Sequence, residues 1–225
     1  MPRVTTAFAA AIALFLPIGR PLLVGLTPAV GIGAGLLSTQ AAYAQSAQDW
    51  FDSGLDKAES GNLKGAIADW TKAIEMYPRY GAAYSNRGVA KYKLSDFSGA
   101  IADFTKAIEF DPNDPYSYNN RGAAKDDLKD YKGAIDDYTK AIEINPQYAK
   151  AYYNRGNAKD DLKDHKGAIN DYTKAIEIDP DDAVFYTNRG IVLAIIGNLK
   201  DACRDWKKAV DLGDTRPIEW VRDQC

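Results

Sequence analysis

Residues 118–146 read YNNRGAAKDDLKDYKGAIDDYTKAIEINP, and residues 153–180 say nearly the same again, YNRGNAKDDLKDHKGAINDYTKAIEIDP. Within the first copy Tyr118, Arg121-Gly122, Lys125 and Leu128 fall three or four apart, the period of one helix face, until Lys129-Asp130 breaks the run. Ala134, Ile135, Tyr138, Ala141 and Ile142 then form a second amphipathic stripe, which Pro146 ends. The stretch predicts a helical hairpin.

The hairpin recurs along most of the chain. Gly54, Gly88, Gly122, Gly156 and Gly190 stand 34 residues apart, and Ala66, Ala100, Ala134, Ala168 and Ala202 keep the same step. So do the aromatics Trp70, Phe104, Tyr138, Tyr172 and Trp206, with Pro78, Pro112, Pro146 and Pro180 closing the first four units. Five units are expected at 47–80, 81–114, 115–148, 149–182 and 183–216. Small residues such as Gly122 and Ala134 let two antiparallel helices approach, and Tyr138 fills the space beside Ala141. One hairpin cannot bury its own apolar face, so neighbours must stack.

These offsets of aromatic, Gly, Ala, aromatic, Ala and Pro resemble the tetratricopeptide repeat family. The resemblance implies an all-α fold, a right-handed solenoid of five antiparallel helical hairpins, with a C-terminal capping helix at 217–225. The end units depart from the pattern, with Asp52-Ser53-Gly54 in place of Asn-Arg-Gly and Asp214 in place of the closing Pro. Terminal repeats face water and need not match. Asp214-Thr215-Arg216-Pro217 is expected to cap the last helix, with Pro in its first turn.

Composition supports a folded chain, since 26% charged and 46% hydrophobic residues leave enough apolar mass for a core. Arg3 and Arg20 are the only charged residues before Asp49, so the rest is more acidic than the formal net charge of −3. That balance argues against nucleic acid, which needs a clustered basic face. Residues 1–44 read as an export signal: apolar from Val4 to Gly19 and from Pro21 to Ser38, then Ala42-Tyr43-Ala44 as a cleavage site before Gln45. The alternative is an uncleaved anchor, which would tether an assembly factor to a membrane. Both readings place the repeats outside the cytoplasm, in a periplasm, a secreted state or a lumen.

Cys203 occupies the register of Ile67, Ile101, Ile135 and Ile169, and Cys225 shares a face with Ile218 and Val221. An even pair of cysteines in an oxidising compartment predicts a Cys203–Cys225 disulfide. Nothing predicts catalysis or a cofactor. There is no phosphate-binding glycine loop or nucleophile elbow, and His165 in a turn reads as a packed ring. Asp111-Pro-Asn113-Asp114 lacks the spaced ligands of a calcium loop, and no metal is expected.

The resemblance places the first helices on the concave face, where Asn86, Asn120, Asn154 and Asn188 stand two residues before each repeat Gly. In family members with this series the Asn side chains grip a peptide backbone, and an amide both donates and accepts. By the same analogy Asp126, Asp127, Asp160 and Asp161 fall near the lip of the groove, with Asn157 and Tyr92 also lining it. The expected partner is an extended peptide or a partner helix with a basic segment, held in a scaffolding or assembly role. Arg87, Arg121, Arg155 and Arg189 are expected to pair with the recurrent Asp residues of the second helices as scaffold.

Overall fold

The structure is a computed structural model that describes residues 46–225; the expected export segment at 1–44 lies outside the described residues. The described residues form helices alone. Unit one is α1 (Ala47–Glu59) and α2 (Leu63–Met76), unit two α3 (Gly81–Lys93) and α4 (Phe97–Phe110), and unit three α5 (Pro115–Asp127) and α6 (Tyr131–Ile144). Unit four is α7 (Ala149–Asp161) and α8 (His165–Ile178), unit five α9 (Ala183–Ile195) and α10 (Leu199–Asp211), and α11 (Ile218–Gln224) follows. Among the described residues no helix is long and apolar enough to cross a membrane.

The turn inside each hairpin is set by two devices. Gly61, Ser95, Lys129, Lys163 and Gly197 take the left-handed backbone conformation, φ running from 64° to 84°, and stop the first helix. One residue later Asn62, Asp96, Asp130, Asp164 and Asn198 cap the second helix, each side chain accepting from the backbone N–H three residues on. Lys129-Asp130 therefore breaks the first stripe because one residue reverses the chain and the next starts a helix.

Close approach explains the repeat Gly. A Cβ on Gly122 would stand 2.8 Å from the Tyr138 ring and 3.2 Å from the Ala134 carbonyl oxygen, and Gly156 meets Tyr172 at the same 2.8 Å. The core is built of these seats: Ala100, Ala134 and Ala168 are fully buried, with Phe104, Tyr138 and Tyr172 beside them. The helices of each hairpin pack together and each second helix packs on the next first helix, so one unit's apolar face closes on its neighbour.

Each second helix also buries an Asp. Arg87, Arg121, Arg155 and Arg189 lay Nε and NH2 on the two oxygens of Asp103, Asp137, Asp171 and Asp205, at 2.6 to 2.9 Å. The remaining NH1 donates to Thr71, Thr105, Thr139 or Thr173 of the preceding unit, so one guanidinium ties its own hairpin and the joint before it. Lys57, Lys91, Lys125 and Lys159 add an ammonium to Asp69, Asp103, Asp137 and Asp171 at 2.5 to 2.8 Å.

At the C-terminal end Trp220 packs on Trp206, with ring centroids 5.2 Å apart, and Val221 joins the same cluster. Cys203 and Cys225 are disulfide-bonded, fastening α10 to the last residue. Asp214 does not cap α11. Pro217 holds the cap position without a side-chain bond, because the Asp214 carboxylate turns inward to accept from Thr187 Oγ at 2.6 Å and from Arg216.

Candidate functional site

First helices of successive units meet directly, α3 with α5 and α5 with α7, and no pair of second helices meets to that extent. In units two to four the array therefore bends toward its first helices; Asn86, Asn120, Asn154 and Asn188 stand on α3, α5, α7 and α9.

These four side chains are held differently. Asn86 Nδ2 donates to the Ala82 carbonyl of its own helix at 3.0 Å. Asn154 Nδ2 crosses to Asn119 Oδ1 of the preceding unit at 3.0 Å, and Asn188 Nδ2 crosses to the Tyr153 hydroxyl at 2.6 Å. Asn120 accepts from Asn119 at 3.4 Å, and its own Nδ2 donates to nothing among the described residues. The amides thus share a register but not an orientation: Asn120 offers a donor, while Asn154 and Asn188 leave Oδ1 as acceptors.

The acidic residues expected at the lip are likewise woven into the array. The Tyr92 hydroxyl donates to Asp127 of the next unit at 2.5 Å, and burial followed by this carboxylate pushes the Tyr92 phenol well above its ordinary range. Burial and then Asp126 do the same to the enclosed Tyr138. His165 opens α8 where the sequence suggested a turn, and its Nδ1 lies 2.9 Å from Asp160 Oδ1. Asn157 accepts from the Tyr172 hydroxyl at 2.8 Å, Asp161 is half-buried, and Asp127 is exposed.

Toward the C-terminal end Tyr153 is the hub. Its ring packs on Phe185, centroids 5.1 Å apart, and Lys150 Nζ sits 4.4 Å from its centroid. Burial lowers the Lys150 ammonium from its ordinary value, against the pull of Asp182. Asn119 and Tyr153 were not among the expected site residues. Their signal lies in the position before each Asn, which reads Ser85, Asn119, Tyr153 and Thr187 while its neighbours stay constant. In a repeat, a varying position on a constant scaffold is where units acquire different contacts.

Family models of the tetratricopeptide repeat match residues 81–114, 115–148, 149–182 and 171–204. The chain belongs to the tetratricopeptide repeat family. Among solved structures, crystal structures of MamA are similar. One is 28% identical with a TM-score of 0.68 over 71% of this chain and 93% of its own. MamA from Desulfovibrio magneticus RS-1 is 21% identical with a TM-score of 0.70, over 76% of this chain and 96% of its own. YrrB, described as a TPR protein with an unusual peptide-binding site, is 20% identical with a TM-score of 0.68, over 82% and 95%. No curated protein matches. The tetratricopeptide array is a protein–protein interaction module.

Proposed function

We propose that the repeats form an extracytoplasmic, non-enzymatic module that holds an extended peptide or a partner helix along the first-helix face, in a scaffolding or assembly role. The observation that carries this reading is the split use of the amides. Asn154 and Asn188 spend Nδ2 on the neighbouring unit, which fixes the side chain and leaves Oδ1 to accept a backbone N–H. Asn120 leaves Nδ2 to donate to a backbone carbonyl. A side chain held in place before binding loses little rotamer freedom on binding.

Asp126, Asp127, Asp160 and Asp161 bias this face toward a peptide with a basic centre, steering encounter more than adding affinity. YrrB, of the same fold, is described as having a peptide-binding site, which is in keeping with this use of the fold. Extracytoplasmic placement rests on the Ala42-Tyr43-Ala44 cleavage pattern and the cysteine pair.

Peptides selected from a random library against the full chain supply the test. Replacing Asn120, Asn154 and Asn188 by Ala is expected to weaken the selected peptides by about tenfold or more, as loss of one or two hydrogen bonds would. Unchanged affinity places the peptide elsewhere. N-terminal sequencing of the exported protein addresses placement, with Gln45 the expected first residue.

A further inference from the structure

The lysine that completes each buried carboxylate is missing from unit five. Lys57, Lys91, Lys125 and Lys159 hold their partners Asp69, Asp103, Asp137 and Asp171 in ion pairs. The fifth residue in that register is Leu193, and Asp205, 2% exposed, keeps only the Arg189 fork. The surroundings of Lys125 define what the ammonium needs: its Nζ pairs with Asp137 and reaches the Gly133 carbonyl at 3.4 Å. In unit five the register of Gly133 is taken by Asp201, whose side chain lines the same cleft as Asp205.

An open cleft of about 170 Å³ is lined by Asp205, Asp201, Leu193, Arg189, Arg204 and Thr173. That is far above the ~10–15 Å³ that admits one water. Leu193 reaches two atoms less far than the lysine side chain of the other units, and both it and Asp205 line the cleft. Its mouth is framed by Arg204, which is 70% exposed and pairs with Asp201 Oδ1 at 2.7 Å, while Asn198 donates to Oδ2. Counting only groups paired with the buried carboxylate, Asp205 and Arg189 are neutral together, whereas in units two to four one Arg and one Lys face one Asp. An added ammonium would restore that same surplus of one positive charge.

We infer that this cleft receives a primary ammonium group from outside the chain, the end of a partner protein's lysine, on the carboxylates of Asp205 and Asp201. The occupied versions in the four preceding units supply the chemistry: an ammonium on an unbranched stem, donating to a buried carboxylate. The site is lined by residues of α8, α9 and α10 and uses none of Asn86, Asn120, Asn154 and Asn188.

The test is a two-dimensional NMR titration of the full chain at low salt with Nα-acetyl-lysine amide, beside the uncharged Nα-acetyl-norleucine amide and beside spermidine. Saturable shifts at the amides of Leu193, Asp201 and Asp205 are expected with the lysine derivative and not with the norleucine one. Tighter saturation by spermidine would give the site to free polyamines in place of a partner lysine. The variant Leu193→Lys, which supplies the ammonium internally, is expected to abolish the shifts. Because Leu193 also packs on the Trp206 cluster, the surface variant Asp201→Asn is run as well, with an expected weakening of about fivefold. Equal shifts from the norleucine amide, no saturable shifts, or full binding by a folded Leu193→Lys protein would each overturn the inference.

Discussion

Arg121 lays NH2 2.6 Å from Asp137 Oδ1 and Nε 2.9 Å from Oδ2, while its NH1 reaches Thr105 of the preceding unit at 3.2 Å. One side chain therefore reports on both the fold of a hairpin and the joint before it. Arg121→Met is expected to cost about 3 kcal/mol, the range for leaving a buried carboxylate without one of its partners. Lys125 remains on Asp137 and limits the loss. Asp205 has no such lysine, so Arg189→Met is expected to cost more. Urea denaturation of both variants checks the order, and equal losses would mean that the lysines contribute nothing.

The seat of Tyr138 gives a second prediction. Gly122→Ala adds the better helix former, worth up to about 1 kcal/mol in an open helix. Here the new Cβ meets the Tyr138 ring at 2.8 Å and the Ala134 carbonyl at 3.2 Å, and neither backbone nor enclosed ring yields easily. A net loss of about 1 to 3 kcal/mol is expected, typical of overpacking. A melting temperature at or above that of the unaltered chain would show that the two helices can separate freely.

The hairpins were legible in the sequence because their physics is local and repeated five times. Gly122 sits where it must for Tyr138 to fit, and Pro146 stands where the helix ends. The Arg and Asp series were legible as a pair because they recur together. What could not be read was the side-chain choice among equivalent partners. Asn86, Asn120, Asn154 and Asn188 share a register, yet each amide bonds according to its neighbour in the position before it, and that position varies. The same holds for Asp214, whose helix-capping pattern was overruled by the contact with Thr187 that only the folded array provides, beside its local bonds with Arg216.

Strain in the hairpin turns can be relieved. Ser95, Lys129 and Lys163 hold φ between 64° and 67°, a conformation that costs a side-chain-bearing residue roughly 1 kcal/mol or more, whereas Gly61 and Gly197 fill the equivalent turns freely. Lys129→Gly and Lys163→Gly are each expected to stabilise the array by about 0.5 kcal/mol, the strain relieved exceeding the added freedom of the unfolded chain. All five of these turn residues are exposed, so few contacts confuse the reading. Chemical denaturation of the single variants and the pair checks this, with additivity expected because the sites lie in separate units.

Asp214 makes stability at the C-terminal end depend on acid. Burial opposes its ionisation, but hydrogen bonds from Arg216 and Thr187 outweigh it and hold the carboxyl at about 2, below its ordinary value of 3.8. A carboxyl lowered in the folded chain binds its proton more readily in the unfolded one, so its contribution is complete above the unfolded value and is lost as pH falls from about 4 through 2. Asp214→Asn removes that titration while keeping an acceptor for Thr187. The stability gap between the unaltered chain and this variant is therefore expected to be constant from pH 7 down to about 5 and to narrow steadily toward pH 2. Melting curves of both proteins across that range decide it, since a gap that stays constant would mean that Arg216 holds its place without the Asp214 charge.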